Sequence, residues 1–189
     1  MVATVLYRQA GSPAVTGTST FPDLKDDWYA DAVAWAQEAK VVIGDDKGLF
    51  RPDDDVTREE MVTMLYRFAA SQNMDTTTTG DLSNFTDASS VQSYATEPMT
   101  WAVGNGIILG MGNNELAPRE SATRAQFAAI CARFDTGTSD GESSFTDISG
   151  HWAESEIRRA AQLGWIQGDP DGRFRPNAPI TRAETMTII

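Results

Sequence analysis

One spacing constrains this chain more than any other feature. A glycine leads six positions on to a large apolar residue, two further to proline, and then to a Thr-Arg pair. The pattern occurs at Gly44, Phe50, Pro52 and Thr57-Arg58, again at Gly110, Leu116, Pro118 and Thr123-Arg124, and again at Gly168, Phe174, Pro176 and Thr181-Arg182. The glycine-to-threonine intervals, 57−44, 123−110 and 181−168, all equal 13. Matching spacing with matching chemistry marks an internal repeat. Copies of this kind cannot bury their apolar faces alone and must pack on one another.

Around that spacing each copy reads helix–loop–helix, so the expected fold class is all-α. A Phe-x-Asp run opens each copy, ending at Asp23, Asp87 and Asp147. The first helix is predicted over residues 28–40, 94–105 and 152–163, with Trp28, Ala32, Val33, Ala36 and Ala39 at helical spacing in copy one. The second helix starts at a capping box: Thr57 with Glu60, Thr123 with Gln126, Thr181 with Glu184. Beyond it Met61, Met64, Leu65 and Phe68 form an apolar stripe, which Phe127, Ile130, Cys131 and Phe134 repeat. Copy one with its linker spans 21–84, copy two 85–144 and copy three 145–189. Residues 2–8 parallel 61–67, so 1–20 reads as the tail of a preceding copy plus a connector. The chain is therefore read as a piece of a longer array, cut within the second helix of copy three.

Charge and composition exclude several functions. The balance of 27 acidic to 15 basic residues gives a net charge of −12, which disfavours nucleic acid held over a broad surface. A local basic pocket for a small anion remains compatible with it. No apolar run approaches the ~20 residues that span a bilayer, and residues 1–8 are too short and polar for a signal peptide. The single cysteine, Cys131, excludes an internal disulfide and sits at a core position. Catalytic patterns are missing: His151 is the sole histidine, carboxylates are scattered, and no zinc, phosphate-loop or nucleophile-elbow motif occurs. Calcium fails on spacing. Taking Gly48 or Gly172 as the sixth position of an EF-hand loop puts Ile43 or Gln167 at the first ligand. No catalytic residue, metal or cofactor is assigned.

Arg58, Arg124 and Arg182 are the informative residues. A cation at the first helical position opposes the helix dipole, at a cost of roughly 0.3–1 kcal/mol where exposed. Two readings stay open. An anion docked at the helix start meets free N–H groups and a guanidinium. Alternatively Asp23, Asp87 or Asp147 of a neighbouring copy pairs with the arginine. Trp28, Tyr94 and Trp152 either stack on a sugar face or anchor the first helix in the core, and Trp165, beside Gly164 and near the loop, is the better groove candidate.

The run Phe145-Thr-Asp147, Trp152, Ile157, Ala160, Gly164, Gly168, Asp171-Gly-Arg-Phe174, Pro176 and Ile180-Thr-Arg-Ala-Glu184 resembles the S-layer homology repeat of bacterial surface proteins. The resemblance covers essentially the whole chain. It implies a pseudo-threefold spindle of three tandem repeats. Grooves between its prongs bind secondary cell-wall polysaccharide linked to peptidoglycan, often through pyruvylated N-acetylmannosamine. It implies an extracellular, non-catalytic wall anchor. By position it makes Arg58, Arg124 and Arg182 the carboxylate contacts, and Gly44, Gly110 and Gly168 the glycines that let ligand approach. Asp23, Asp87, Asp147 and Trp165 complete the candidate site. Copy one departs with Lys40-Val41 and Glu59, and copy two with Tyr94, a loop lacking acids from Met111 to Asn114, and Gln126. These departures predict unequal grooves. An alternative is a structural module that self-associates through the cut terminal copies and binds no glycan.

Overall fold

Threonine sets the start of each second helix. The computed structural model describes residues 2–15, 17–25, 28–135, 137, 144–182 and 184. In it α3 (Arg58–Ser71) and α5 (Arg124–Phe134) begin directly after Thr57 and Thr123, each with a complete capping box. Thr57 N donates to Glu60 Oε2 at 2.8 Å, and Thr123 N donates to Gln126 Oε1 at 3.1 Å. Thr181 and Glu184 make the same reciprocal pair at 3.1 and 2.9 Å. The helix expected after Glu184 lies outside the described residues, as does most of the linker over 135–144.

The first helices are α2 (Ala30–Glu38), α4 (Thr96–Gly104) and α6 (Glu154–Gln162). Each starts two residues later than the periodicity predicts, which leaves Trp28, Tyr94 and Trp152 outside the helix and 44–60% exposed. Their chain turns back through a left-handed residue: Lys40 at φ 58°, Gly106 at 65° and Gly164 at 76°. Lys40 thus occupies a conformation that glycine adopts without a Cβ clash. The same turn satisfies the helix end, with Val41 N, Ile107 N and Trp165 N each donating at 2.8 Å to Ala36 O, Ala102 O and Ala160 O.

Helices pair across copies. The second helix of one copy packs on the first helix of the next, α3 on α4 and α5 on α6. The N-terminal helix α1 (Val2–Gln9) packs on α2 in the same way. Tyr7 meets Trp35 at 5.6 Å between ring centroids, and Tyr66 meets Trp101 at 5.4 Å. The predicted stripes are buried: Met61, Met64, Leu65 and Phe68 on α3, and Phe127, Ile130 and Cys131 on α5. Among the described residues there are six α-helices, three short 3-10 turns and no strand; the fold is all-α.

The three loops close a ring. Val56 N donates to Ile180 O at 3.0 Å, Ala122 N to Val56 O at 2.8 Å, and Ile180 N to Ala122 O at 3.0 Å. These residues hold equivalent positions in their copies, each one before the capping threonine, and all three are fully buried. Leaving one such buried pair unmade costs about 1–3 kcal/mol, so each loop depends on the other two.

Candidate functional site

Each Thr-Arg arginine reaches out of its own copy into the loop of another. Arg58 Nε donates to Leu116 O at 2.9 Å, Arg124 Nε to Phe174 O at 2.6 Å, and Arg182 Nε to Phe50 O at 2.7 Å. Copy one reaches into copy two, two into three, and three back into one. Where the large apolar residue is aromatic, the guanidinium also lies over its ring. Arg124 stands 4.9 Å from the Phe174 centroid and Arg182 5.2 Å from that of Phe50.

Two grooves open beside these arginines. The first, of about 640 Å³, lies between Val42–Phe50 of loop one and the α3 face of Glu60, Met64 and Arg67, with Arg182 and Tyr94 closing it. The second, of about 230 Å³, repeats it position for position. Ile108 to Met111 form the loop, Gln126, Ile130 and Arg133 the α5 face, and Arg58 and Trp152 the closing pair. A groove is therefore built from three copies: loop and helix of one, arginine of the copy before it, aromatic of the copy after it. Ile43 and Tyr94 rim the first groove, and Leu109, Met111 and Trp152 the second, all 44–62% exposed. Apolar side chains left exposed at such a mouth mark an interaction site.

The electrostatics of the two grooves are opposite. Arg182 Nη1 donates to Glu60 Oε1 at 2.7 Å, and Asp45, Asp46, Asp54 and Asp55 share the lining. In the second groove Gln126 replaces Glu60 and Met111 replaces Asp45, and among the described residues no carboxylate lines the wall. Arg58 is 3% exposed, bonded only to the carbonyls of Leu116 and Leu109 (Nη2, 3.3 Å), with no ion pair among the described residues. Burial pushes its guanidinium down to about 10; the charges of Glu120 and Asp87 oppose the fall and that of Arg133 adds to it. Arg124 is lowered chiefly by burial too, its charge countered by Asp169 at 3.9 Å. Its Nη2 is buried without a hydrogen bond. An anion delivered to either arginine restores what burial removed.

Other sequence-predicted residues do different work. Asp23, Asp87 and Asp147 do not pair with the arginines. Each carboxylate accepts two backbone N–H groups of its own loop: Phe50 and Arg51 at 3.0 and 2.6 Å, Leu116 and Ala117 at 2.8 and 2.7 Å, Phe174 and Arg175 at 2.8 Å each. The second residue of each pair is left-handed, with φ of 56°, 49° and 55°, and the carboxylate holds that strained peptide in place. Burial acts to raise the carboxyls of Asp23 and Asp147, but these N–H bonds win and hold both below the usual range. Gly44 and Gly168 are glycine because a phenylalanine of their own copy fills the Cβ direction. A Cβ would come 2.7 Å from the Phe21 ring and 2.5 Å from the Phe145 ring. Gly110 meets Phe85 less closely, at 3.2 Å. Trp165 is not a groove residue: it is 2% exposed, its ring packs on Phe134 at 5.6 Å, and Nε1 donates to Asp135 Oδ2 at 2.8 Å. Its neighbour Gly164 turns the chain inward, which proximity to the loop did not reveal.

Two departures, Glu59 in copy one and Tyr94 in copy two, explain each other. Glu59, 1% exposed, accepts from Gln92 N at 3.0 Å and from the Tyr94 hydroxyl at 3.4 Å. Burial, then the Glu59 charge, raises the Tyr94 phenol. Alanine at 59 and tryptophan at 94 have no such pairing to make, so the two exchanges belong together.

A family model for the S-layer homology domain matches residues 20–62, 84–128 and 144–186. The chain is 32% identical over 150 residues to the cellulosome-anchoring protein of Acetivibrio thermocellus, covering 75% of this chain and 33% of that protein. Over 178 residues it is 37% identical to the exoglucanase XynX of Acetivibrio thermocellus, covering 90% of this chain and 16% of the relative. It is 36% identical over 178 residues to the amylopullulanase of Thermoanaerobacterium thermosulfurigenes, covering 90% and 9%. The chain thus spans 33% or less of the length of these relatives. Three matched copies, each lending an arginine to another's loop, place the chain in the S-layer homology domain family.

Proposed function

We propose that this chain is a non-catalytic cell-wall anchor that grips secondary cell-wall polysaccharide at the bacterial surface. The bound unit is an anionic, pyruvylated sugar of the peptidoglycan-linked polymer. Its carboxylate meets the groove arginine, and its ring lies against the exposed aromatic. Arg58, Arg124 and Arg182 are the candidate charge contacts, and the glycine loops supply one wall of each groove. The observation that carries this reading is Arg58: a guanidinium almost wholly buried at a groove wall with no carboxylate partner among the described residues. Burying a charge without a counter-ion is costly, and an incoming carboxylate relieves that cost. Relatives named as a cellulosome-anchoring protein and a surface-layer protein support placement at the cell surface. Enzymes such as the amylopullulanase are mostly sequence outside the matched part, which supports an anchoring role for the shared part.

Arg→Ala substitutions do not test this cleanly, because each arginine also holds another copy's loop. The ligand is the better variable. Purified walls, walls stripped of secondary polysaccharide with hydrofluoric acid, and walls depyruvylated with mild acid are sedimented with the protein. Binding to intact walls that drops at least tenfold on both treated samples is expected. Equal binding to stripped walls would overturn the reading.

A further inference from the structure

Size and charge favour different grooves. The groove under Tyr94 is larger, about 640 against 230 Å³. Its arginine, however, is already engaged by Glu60 at 2.7 Å, and Asp45, Asp46, Asp54 and Asp55 share the lining with Arg51 and Arg67. Asp45 holds Arg51 at 2.6 Å, so a carboxylate entering there must displace Glu60 and meets five acids against three arginines. The groove under Trp152 presents the reverse. Arg58 and Arg133 line it together, Gln126 and Met111 stand where Glu60 and Asp45 stand in the other, and among the described residues the lining holds no acid. Arg133 is engaged outside the groove by Glu156 at 3.4 Å, a part-exposed pair with 25% and 27% of the side chains accessible. Arg58 keeps only carbonyl partners. Charge decides, because a mismatch at a buried guanidinium is not screened by water as it is at the surface.

We infer that the groove under Trp152 is this chain's principal carboxylate site, with Arg58 as the direct contact and Arg133 as a second cation, whereas Glu60 keeps Arg182 as a strut in the larger groove. The specificity determinant at the arginine itself is the exchange of Glu60 for Gln126, with Asp45 exchanged for Met111 beside it. This rests on the anchoring reading above and adds to it which copy does the binding.

The chain supplies its own test, because each capping box already works with either residue. Gln126→Glu introduces into the second groove the carboxylate that copy one carries, and Glu60→Gln removes it from the first. The probe is the methyl glycoside of N-acetylmannosamine bearing a 4,6-linked pyruvate ketal, titrated calorimetrically into the 189-residue chain. Its carboxyl methyl ester is the neutral control. Wild type is expected to bind the acid at one site at least tenfold more tightly than the ester. Q126E is expected to lose at least tenfold in affinity with its melting temperature held. E60Q is expected to retain binding, and a second, weaker site appearing there supports the inference further. Arg133→Ala is expected to weaken binding severalfold and flatten its salt dependence. Unchanged affinity in Q126E, or loss of binding in E60Q, would overturn the inference while leaving the anchoring reading intact. Wild type binding neither the probe nor intact walls would overturn both.

Discussion

Arg182 Nη1 lies 2.7 Å from Glu60 Oε1 and joins the last copy to the first across 122 residues of chain. The pair is partly exposed, with 12% and 31% of the side chains accessible. Such pairs contribute about 0–1 kcal/mol. The deeper bond is Arg182 Nε to Phe50 O. Glu60→Gln is therefore expected to change stability by less than about 1 kcal/mol. Arg182→Ala, which loses a charge-assisted bond and the Phe50 ring contact, is expected to cost about 2–3 kcal/mol. Urea denaturation of the two variants measures the difference.

Lys40 holds a φ of 58° where its counterparts are Gly106 and Gly164. A left-handed non-glycine residue costs about 1–2 kcal/mol, and glycine gives back part of that in unfolded-chain entropy. Lys40→Gly is expected to stabilise by about 0.5–1 kcal/mol, a rise of roughly 1–4 °C in Tm for a domain of this size. A lowered Tm in a thermal melt would count against the turn described for copy one.

Gly168 has no room for a methyl group, because Phe145 and the Arg173 carbonyl stand 2.5 and 3.0 Å from the Cβ position. The ring can move, but the carbonyl is tied to Asp169 N at 2.7 Å. Gly168→Ala is expected to cost about 1–3 kcal/mol. Gly17→Ala, where nothing lies within 4 Å, serves as the control and is expected to leave Tm within about 1 °C.

Acid should loosen the loops through Asp23 and Asp147. Their folded carboxyls lie below the unfolded value, because backbone N–H bonds outweigh the effect of burial. The stability they contribute is complete above the unfolded pKa of about 3.9 and is lost as pH falls through the lower folded values. Urea midpoints are expected to stay flat with respect to these two groups above about pH 5 and to fall below about pH 4. Asp147→Asn is expected to lower the neutral-pH midpoint and to reduce that acid slope.

The repeat, the all-α class and the second-helix starts were readable because they depend on local chemistry. A threonine three residues before Glu or Gln, followed by an apolar stripe, specifies its own helix start. What was not readable is where each arginine goes. Arg58 and Leu116 are 58 positions apart, and nothing local to either names the other. The aspartates of the Phe-x-Asp runs misled for the same reason: an acid near a cation suggests a pair, whereas Asp23 was needed by the strained peptide at Arg51. Trp28, Tyr94 and Trp152 fall on the helical period by position, yet sit two residues ahead of the first helical residue. The inequality of the grooves, by contrast, was legible in Gln126 and Met111.

The ring of Val56, Ala122 and Ile180 makes the module count. Each member gives one N–H and takes one at its C=O, so the circuit is complete at three and has no vacancy for a fourth. Adding a tandem copy within it would leave a donor and an acceptor facing the wrong neighbours, and deleting one would strand the same two groups. The number of repeats is thereby written into backbone geometry, independent of any side chain in a groove. Groove residues can then drift from copy to copy while the ring that joins the three loops does not.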